Sequence, residues 1–343
     1  MLTCGRSRLL SDCRRLPSKM LTDKFIQYIA SVRRYSPRTQ AVYHDVLEEF
    51  VAQACADATD EAVLQGMNPT AIRNYEVWLL DTRKESPRTV AQHVSVLSSF
   101  GRWLMKEGLL ATNPARSVSR PKQEKRLPVF YRASSMEEYF SQSEYYASEE
   151  NLDQITGADK VSLEWYRRRL GRLVISLLYG TGVRRAELIS LNINQLDQER
   201  RILHVRGKGD KMREIPMIPA LCHEICLYLQ ATETVLGRGR TAGEPLLVTE
   251  KGARLYPMAV QRIVAEELGS VGSISGRRSP HVLRHTLATG LLDQGADLNS
   301  IKELLGHSSL AATQVYTHNS IEKLKNVYNN AHPRAKRGGN HGD

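Results

Sequence analysis

The sequence predicts a mainly α protein with a small antiparallel β-sheet, an α+β chain in two domains. Three observations carry that prediction. From Leu21 to about Asn113, apolar residues recur at helical spacing. Between Arg201 and Ile218, two short runs flank Gly207-Lys208-Gly209-Asp210-Lys211, whose glycines supply turn geometry for a hairpin. At about 150 residues per domain, a chain of 343 residues has room for two cores.

Residues 1–19 hold Arg6, Arg8, Arg14, Arg15 and Lys19 against one acid, Asp12, and the central apolar run is only Leu9-Leu10. That is no secretory h-region. The composition imitates an organelle transit peptide, but the expectation is a disordered basic arm, or a start at Met20. A helical domain is expected over 20–113. It contains a short repeat, Ser36-Pro37-Arg38-Thr39 and Ser86-Pro87-Arg88-Thr89. Ser supplies an N-cap oxygen, and Pro fits the first helical turn, where its missing N–H costs nothing. Val42, Val46, Leu47, Phe50 and Val51 follow the first repeat as an apolar stripe; Val90, Val94, Leu97 and Leu104 follow the second. The opposite faces carry Arg38, Thr39, Gln40 and Tyr43 on one helix and Arg88, Gln92, His93 and Arg102 on the other. Any one of these fits a solvated bundle face. Together, an Arg in each capped first turn suits phosphate contacts.

Residues 114–132 read as a Pro-punctuated basic linker, with Arg116, Arg120, Lys122, Lys125, Arg126 and Arg132 against Glu124. Residues 133–343 form the expected second domain. Its first stretch, 133–160, carries seven acids and only Lys160, so it is expected to face away from a polyanion or toward a protein. Leu170 to Tyr179 reads as a buried helix, Leu246-Leu247-Val248 as a third strand, and the rest as helical to about Asn330.

Forty-eight Lys and Arg against 37 Asp and Glu give a net charge of +11 and a pI near 9.5. That balance favours a polyanionic partner, nucleic acid first and an anionic membrane surface second. No run approaches the ~18–20 apolar residues of a membrane span. The five scattered cysteines, without a CxxC pair, read as reduced cytosolic thiols, with Cys222 and Cys226 as buried small hydrophobes.

Chemistry concentrates in the second domain. Arg184 follows a Gly turn in Thr181-Gly182-Val183-Arg184-Arg185-Ala186-Glu187; Lys208 tips the hairpin. His281 and Arg284, three apart, share a helix face. His307 lies in Leu305-Gly306-His307, and Tyr316 nine positions later in Thr313-Gln314-Val315-Tyr316-Thr317. Each residue alone has an ordinary reading: Arg184 paired with Glu187, Lys208 solvated, His281 or His285 in a core, Tyr316 as packing. His281 and His285 are four apart, as metal ligands can be, but no third ligand stands at metal-site spacing.

In order and spacing these motifs resemble the tyrosine site-specific recombinases, most closely those of Xer type. The resemblance covers Leu21 to about Ala335, and His332-Pro333-Arg334-Ala335 is similar to Xer C-termini. It implies a two-domain C-shaped DNA clamp, with a helical, SAM-like core-binding domain and a tyrosine-recombinase catalytic domain. It implies a helix around Ile321 to Asn329 that docks into a neighbouring subunit. The implied reaction cuts and rejoins strands through a 3′-phosphotyrosine and a Holliday junction, resolving chromosome or plasmid dimers, with neither metal nor other cofactor. The implied partners are double-stranded DNA bearing a specific site, a homo- or hetero-tetramer with a second recombinase, and a DNA translocase as candidate activator, in the cytoplasm at the nucleoid and away from membranes.

The residue chemistry fits those roles. Two guanidiniums, Arg184 and Arg284, can grip the non-bridging oxygens of a phosphate with paired, charge-assisted bonds. Tyr316 offers a phenol, which needs nearby cations and a base; His281 is the candidate base. His307 would donate to a non-bridging oxygen, Lys208 would protonate the leaving 5′-oxygen, and Glu187 would brace the site. The rivals are a mobile-element integrase or invertase of the same chemistry, a strand-passing topoisomerase, and a non-catalytic architectural DNA-binding protein.

Overall fold

The computed structural model describes residues 20–119, 121, 129–207 and 211–306. The extension 1–19, Lys208, His307, Tyr316 and the expected terminal helix lie outside the described residues. The chain divides into two compact units, Met1–Arg126 and Leu127–Asp343.

The first unit is helical: α1 (Leu21–Ser31), α2 (Pro37–Ala54), α3 (Asp60–Gly66), α4 (Pro69–Asp81) and α5 (Pro87–Lys106). Both Ser-Pro-Arg-Thr repeats start helices as expected. The Ser36 Oγ accepts from the Thr39 amide, and the Ser86 Oγ from the Thr89 amide, each at 3.2 Å. The repeat reaches further back than the sequence suggested. Arg34 and Lys84, also 50 positions apart, both take the left-handed conformation, at φ 51° and 55°. The next residues then close matching turns, with Tyr35 N–H donating to Ile29 O and Glu85 N–H to Leu79 O, both at 2.9 Å. A non-glycine residue at positive φ costs about 1–2 kcal/mol, so both turns are held by their surroundings. Val46, Leu47, Phe50 and Val51 bury one stripe and Val90, Val94, Leu97 and Leu104 the other, around Phe25, Tyr75 and Phe100. Ala115 and Val118 join this core, so the expected linker is shorter at its start than 114.

The second unit opens with α6 (Ala133–Gln142) and α7 (Glu149–Asp153), which arginines of the long buried helix α8 (Lys160–Thr181) reach by hydrogen bonds. The acidic stretch is therefore part of this unit's fold: Met136, Tyr139 and Phe140 are buried, while Glu137, Glu144, Glu149 and Glu150 face solvent. Two arginines on α8 are fully buried beneath it. Arg169 donates from Nε to Asn151 Oδ1 at 3.0 Å, and Arg172 donates to Phe140 O at 3.1 Å and to Ser143 Oγ. Arg172 also faces the equally buried Glu224 at 3.6 Å. A buried charge survives only with such partners.

After α9 (Arg185–Ser190) comes a three-stranded antiparallel sheet in the order β1 (Leu196–Asp197), β2 (Ile202–Arg206), β3 (Met212–Pro216). The expected third strand at Leu246–Val248 is not one. That segment makes only isolated bridges, Asn192 with Pro245 and Val248 with Arg254, and β1 completes the sheet. The apolar run at 246–248 is buried because it crosses the core, where Tyr166 and Tyr228 hydroxyls bond Val248. Helices α10 (Pro219–Leu236), α11 (Pro257–Glu267), α12 (Pro280–Asp293) and α13 (Leu298–Leu305) complete the unit. Cys222 and Cys226 are free thiols beside the buried stripe of α10, partly rather than fully buried. No described helix is long and apolar enough to cross a membrane.

Candidate active site

Gly182 ends α8 in the left-handed conformation, at φ 62°, and turns the chain into α9. Arg184 is the N-cap of α9. Its amide donates to Glu187 Oε2 at 2.8 Å and its guanidinium to Glu187 Oε1 at 2.8 Å, while Nη2 donates to Gly306 O at 2.7 Å. Its side chain is 35% exposed, so the guanidinium is braced from behind yet still meets solvent.

Arg284 comes from α12 and is buried. Its two terminal nitrogens donate to Gly182 O and Leu305 O. Burial, and then the positive charge of Arg184, pull its pKa down to about 10, which still leaves it charged at neutral pH. His281 lies one turn earlier on the same helix and is exposed. Burial of part of the ring lowers its pKa, as do the cations Arg185, Arg277 and Arg284 and neighbouring His285. A lowered pKa favours the neutral imidazole, the form that can accept a proton.

Glu187 is the hub that the sequence named only as a brace. Both carboxylate oxygens also accept from a third arginine, Arg213 on β3, at 3.0 and 2.7 Å. Burial raises the Glu187 pKa, but the hydrogen bonds of Arg213 and of the Arg184 amide outweigh it, and the net shift is downward. Arg213 Nε donates to Leu304 O at 3.0 Å. Three consecutive carbonyls at the end of α13, those of Leu304, Leu305 and Gly306, therefore accept from Arg213, Arg284 and Arg184 in turn. A helix C-terminus presents unpaired carbonyls and partial negative charge, so it suits cations. Gly306 makes the end possible: it sits at φ 64° and a Cβ there would stand 3.1 Å from the Arg213 guanidinium.

Sequence reasoning missed Arg213. A signal was present, because Arg213 shares its strand face with buried Ile215, a charge in the apolar phase of a strand. Among the described residues no cluster of three or more His, Cys, Asp or Glu could hold a metal ion.

In the first unit the expected DNA-facing residues divide. Arg38, Arg88, Gln92 and Arg102 are exposed. Thr39 shares a hydroxyl hydrogen bond with Ser36, and Gln40 donates to Tyr35 O at 2.6 Å. Tyr43 packs edge-on against Tyr35, and His93 Nδ1 shares a 2.9 Å hydrogen bond with the Tyr75 hydroxyl.

Comparison with known proteins agrees over nearly the whole length. Residues 147–323 match the phage integrase family, and residues 22–108 match the phage integrase N-terminal SAM-like domain. The tyrosine recombinase XerC of Chlorobaculum parvum is 32% identical over 341 residues, 97% of this chain and 100% of the relative. That of Bacillus subtilis is 34% identical over 314 residues, 91% of this chain and 95% of the relative. In structure the chain is similar to the Tn1549 transposon integrase in complex with transposon right-end DNA, with a TM-score of 0.62, 16% identity and coverage of 90% of this chain and 99% of that one. It is also similar to a lambda integrase tetramer bound to a Holliday junction, with a TM-score of 0.58, 19% identity and coverage of 87% and 79%. The family matches fall on both units, and the larger one spans the elements that gather the three arginines; the chain belongs to the phage integrase family and is a tyrosine recombinase.

Proposed function

We propose that this protein is a site-specific recombinase that resolves chromosome or plasmid dimers by strand exchange at a defined DNA site. The observation that carries this reading is the convergence of Arg184 and Arg284, 100 positions apart in sequence, on adjacent carbonyls at the end of α13. A phosphodiester held between two such guanidiniums gains stabilisation as charge builds on its non-bridging oxygens. The relatives, named tyrosine recombinase XerC, support the recombinase reading and its Xer type. The DNA and the tetramer on a Holliday junction in the similar integrase structures support DNA as substrate and a tetramer as assembly.

In the proposed step the Tyr316 oxygen attacks phosphorus and the bond from phosphorus to the 5′-oxygen breaks. The neutral imidazole of His281 takes the phenolic proton, and Lys208 gives one to the departing 5′-oxygen. His307, which follows Gly306 directly, donates to a non-bridging oxygen. The 3′-phosphotyrosine keeps one phosphoester bond for the one broken, so a second 5′-hydroxyl reverses the step without ATP. Exposed Arg38, Arg88, Gln92 and Arg102 are the proposed DNA contacts of the first unit. The proposed place of action is the nucleoid.

The test is a nicked suicide duplex carrying a chromosome-dimer site. The expected result is a covalent adduct that Tyr316→Phe abolishes; an adduct that persists in that variant refutes the assignment. Repeating the assay with a second recombinase, and with a DNA translocase, distinguishes a homotetramer from a mixed one and reveals an activator.

A further inference from the structure

Arg213 stands apart from Arg184, the most exposed arginine of the cluster. Its side chain is 9% exposed, against 35% for Arg184. All three guanidinium nitrogens are committed to protein atoms: Nη1 and Nη2 to Glu187 at 3.0 and 2.7 Å, and Nε to Leu304 O at 3.0 Å. A group so enclosed is built to hold its neighbours.

We propose that Arg213 is a positioning residue for strand cleavage, fixing the Glu187 carboxylate so that it aims Arg184 and locking β3 to the carbonyl end of α13. This rests on the recombinase reading above. The planar fork matters. It spans both carboxylate oxygens and leaves Nε for a third bond, an arrangement that the point charge of lysine does not reproduce. Glu187 Oε1 accepts from the guanidiniums of Arg184 and Arg213; Oε2 accepts from the Arg184 amide and Arg213. Two planar contacts leave the carboxylate one orientation, and Arg184 inherits it. The position of Arg213 has a second effect. Its Nε bond to Leu304 O ties β3 to the end of α13, whose next two carbonyls hold Arg284 and Arg184.

The charged groups facing Glu187 are Arg184 from the start of α9, Arg213 from β3 and Arg284 from α12. Removing Arg213 takes away the strongest of the groups holding the Glu187 pKa down, while burial continues to raise it. The acid side of the cleavage profile should then move to higher pH.

The experiment measures adduct formation on the suicide duplex from pH 5 to 9, with duplex affinity and melting recorded for each variant. Arg213→Met is expected to slow cleavage roughly 10- to 100-fold while affinity stays within about threefold, with the acid limb moved upward. Arg213→Lys is expected to keep the fold and recover only part of the rate. In a Glu187→Gln background, Arg213→Met is expected to lose clearly less than it does alone, since most of its effect runs through that carboxylate and only the Leu304 contact remains to be lost. Wild-type cleavage and an unchanged profile in Arg213→Met overturn the inference, as does a loss that multiplies with that of Glu187→Gln. If Arg213→Met melts, Arg213→Lys decides: a wild-type rate overturns the inference. Absence of a Tyr316-dependent adduct in the wild-type chain refutes the recombinase reading itself, a result distinct from any failure of the Arg213 variants.

Discussion

Two glycines end helices with nearly the same backbone, and replacing each by alanine separates packing from strain. Gly182 closes α8 at φ 62°, ψ 20°, and Gly237 closes α10 at φ 64°, ψ 22°. A Cβ at either position meets the left-handed penalty of about 1–2 kcal/mol. At Gly237 it meets nothing else within 4 Å. At Gly182 it would stand 2.7 Å from Leu305 Cδ2 and 2.9 Å from Leu287 Cδ2, both in buried side chains. Overpacking of that kind adds about 1–3 kcal/mol. Gly182→Ala should therefore melt lower than Gly237→Ala by roughly 2–12 °C, at about 2–4 °C per kcal/mol for a unit of this size. The collision also has a chemical consequence. Gly182 O and Leu305 O are the two acceptors that hold Arg284, and an alanine pushes on both. Cleavage by Gly182→Ala should fall roughly 10- to 100-fold beyond Gly237→Ala. Parallel thermal melts of the full chain and the suicide-duplex assay check both parts. Melting temperatures within a degree of each other, or equal cleavage rates, refute the reasoning.

Other expected outcomes concern the caps, the buried pair and the site histidine. Ser36→Ala and Ser86→Ala should each cost the first unit about 1 kcal/mol, read by urea titration, because each removes the acceptor for an amide of its helix's first turn. Arg172→Met should cost the second unit about 3–5 kcal/mol, since Glu224 would stay buried without its cation; Arg172→Met with Glu224→Leu should recover part of that in the same titration. The His281 pKa lies below its ordinary 6.5, so a rate that needs the neutral ring should persist further into acid than an ordinary histidine allows. It should decline as pH falls through the lowered pKa; a single-turnover profile whose midpoint lies above 6.5 contradicts the role of base.

The helical class, the hairpin and the helix starts were legible because they depend on local chemistry: a Ser oxygen within reach of an amide, proline in a first turn, apolar stripes at fixed period. The order of Arg184, His281 and Arg284 was legible because their short motifs survive in sequence. What escaped was chemistry that exists only after folding. Nothing near Arg213 announces that its fork reaches Glu187, 26 positions earlier, or a carbonyl 91 positions later. Likewise nothing local marks Arg169 and Arg172 for burial by the acidic stretch, yet it covers them. Leu246–Val248 was misread for a related reason. A short apolar run records burial, and burial does not distinguish a paired strand from a crossing segment.

The charge of the cluster fits the reaction better than the charge of the chain does. Three guanidiniums, Arg184, Arg213 and Arg284, surround one carboxylate, Glu187, which leaves an excess of two positive charges. A phosphodiester carries one negative charge, and as the proposed attack proceeds charge builds on its non-bridging oxygens, where stabilisation by the guanidiniums raises the rate rather than only the affinity. Glu187 keeps the excess in check, since an unpaired trio would repel itself; the lowered pKa of Arg284, set first by burial and then by Arg184, carries part of that repulsion. On this view a neutral Glu187 would harm cleavage through the posture of Arg184, even though it makes the site more positive and should bind DNA at least as well. Glu187→Gln should thus separate the two effects: duplex affinity held or raised, cleavage lowered. A variant in which both fall together would mean that Glu187 supports the fold alone.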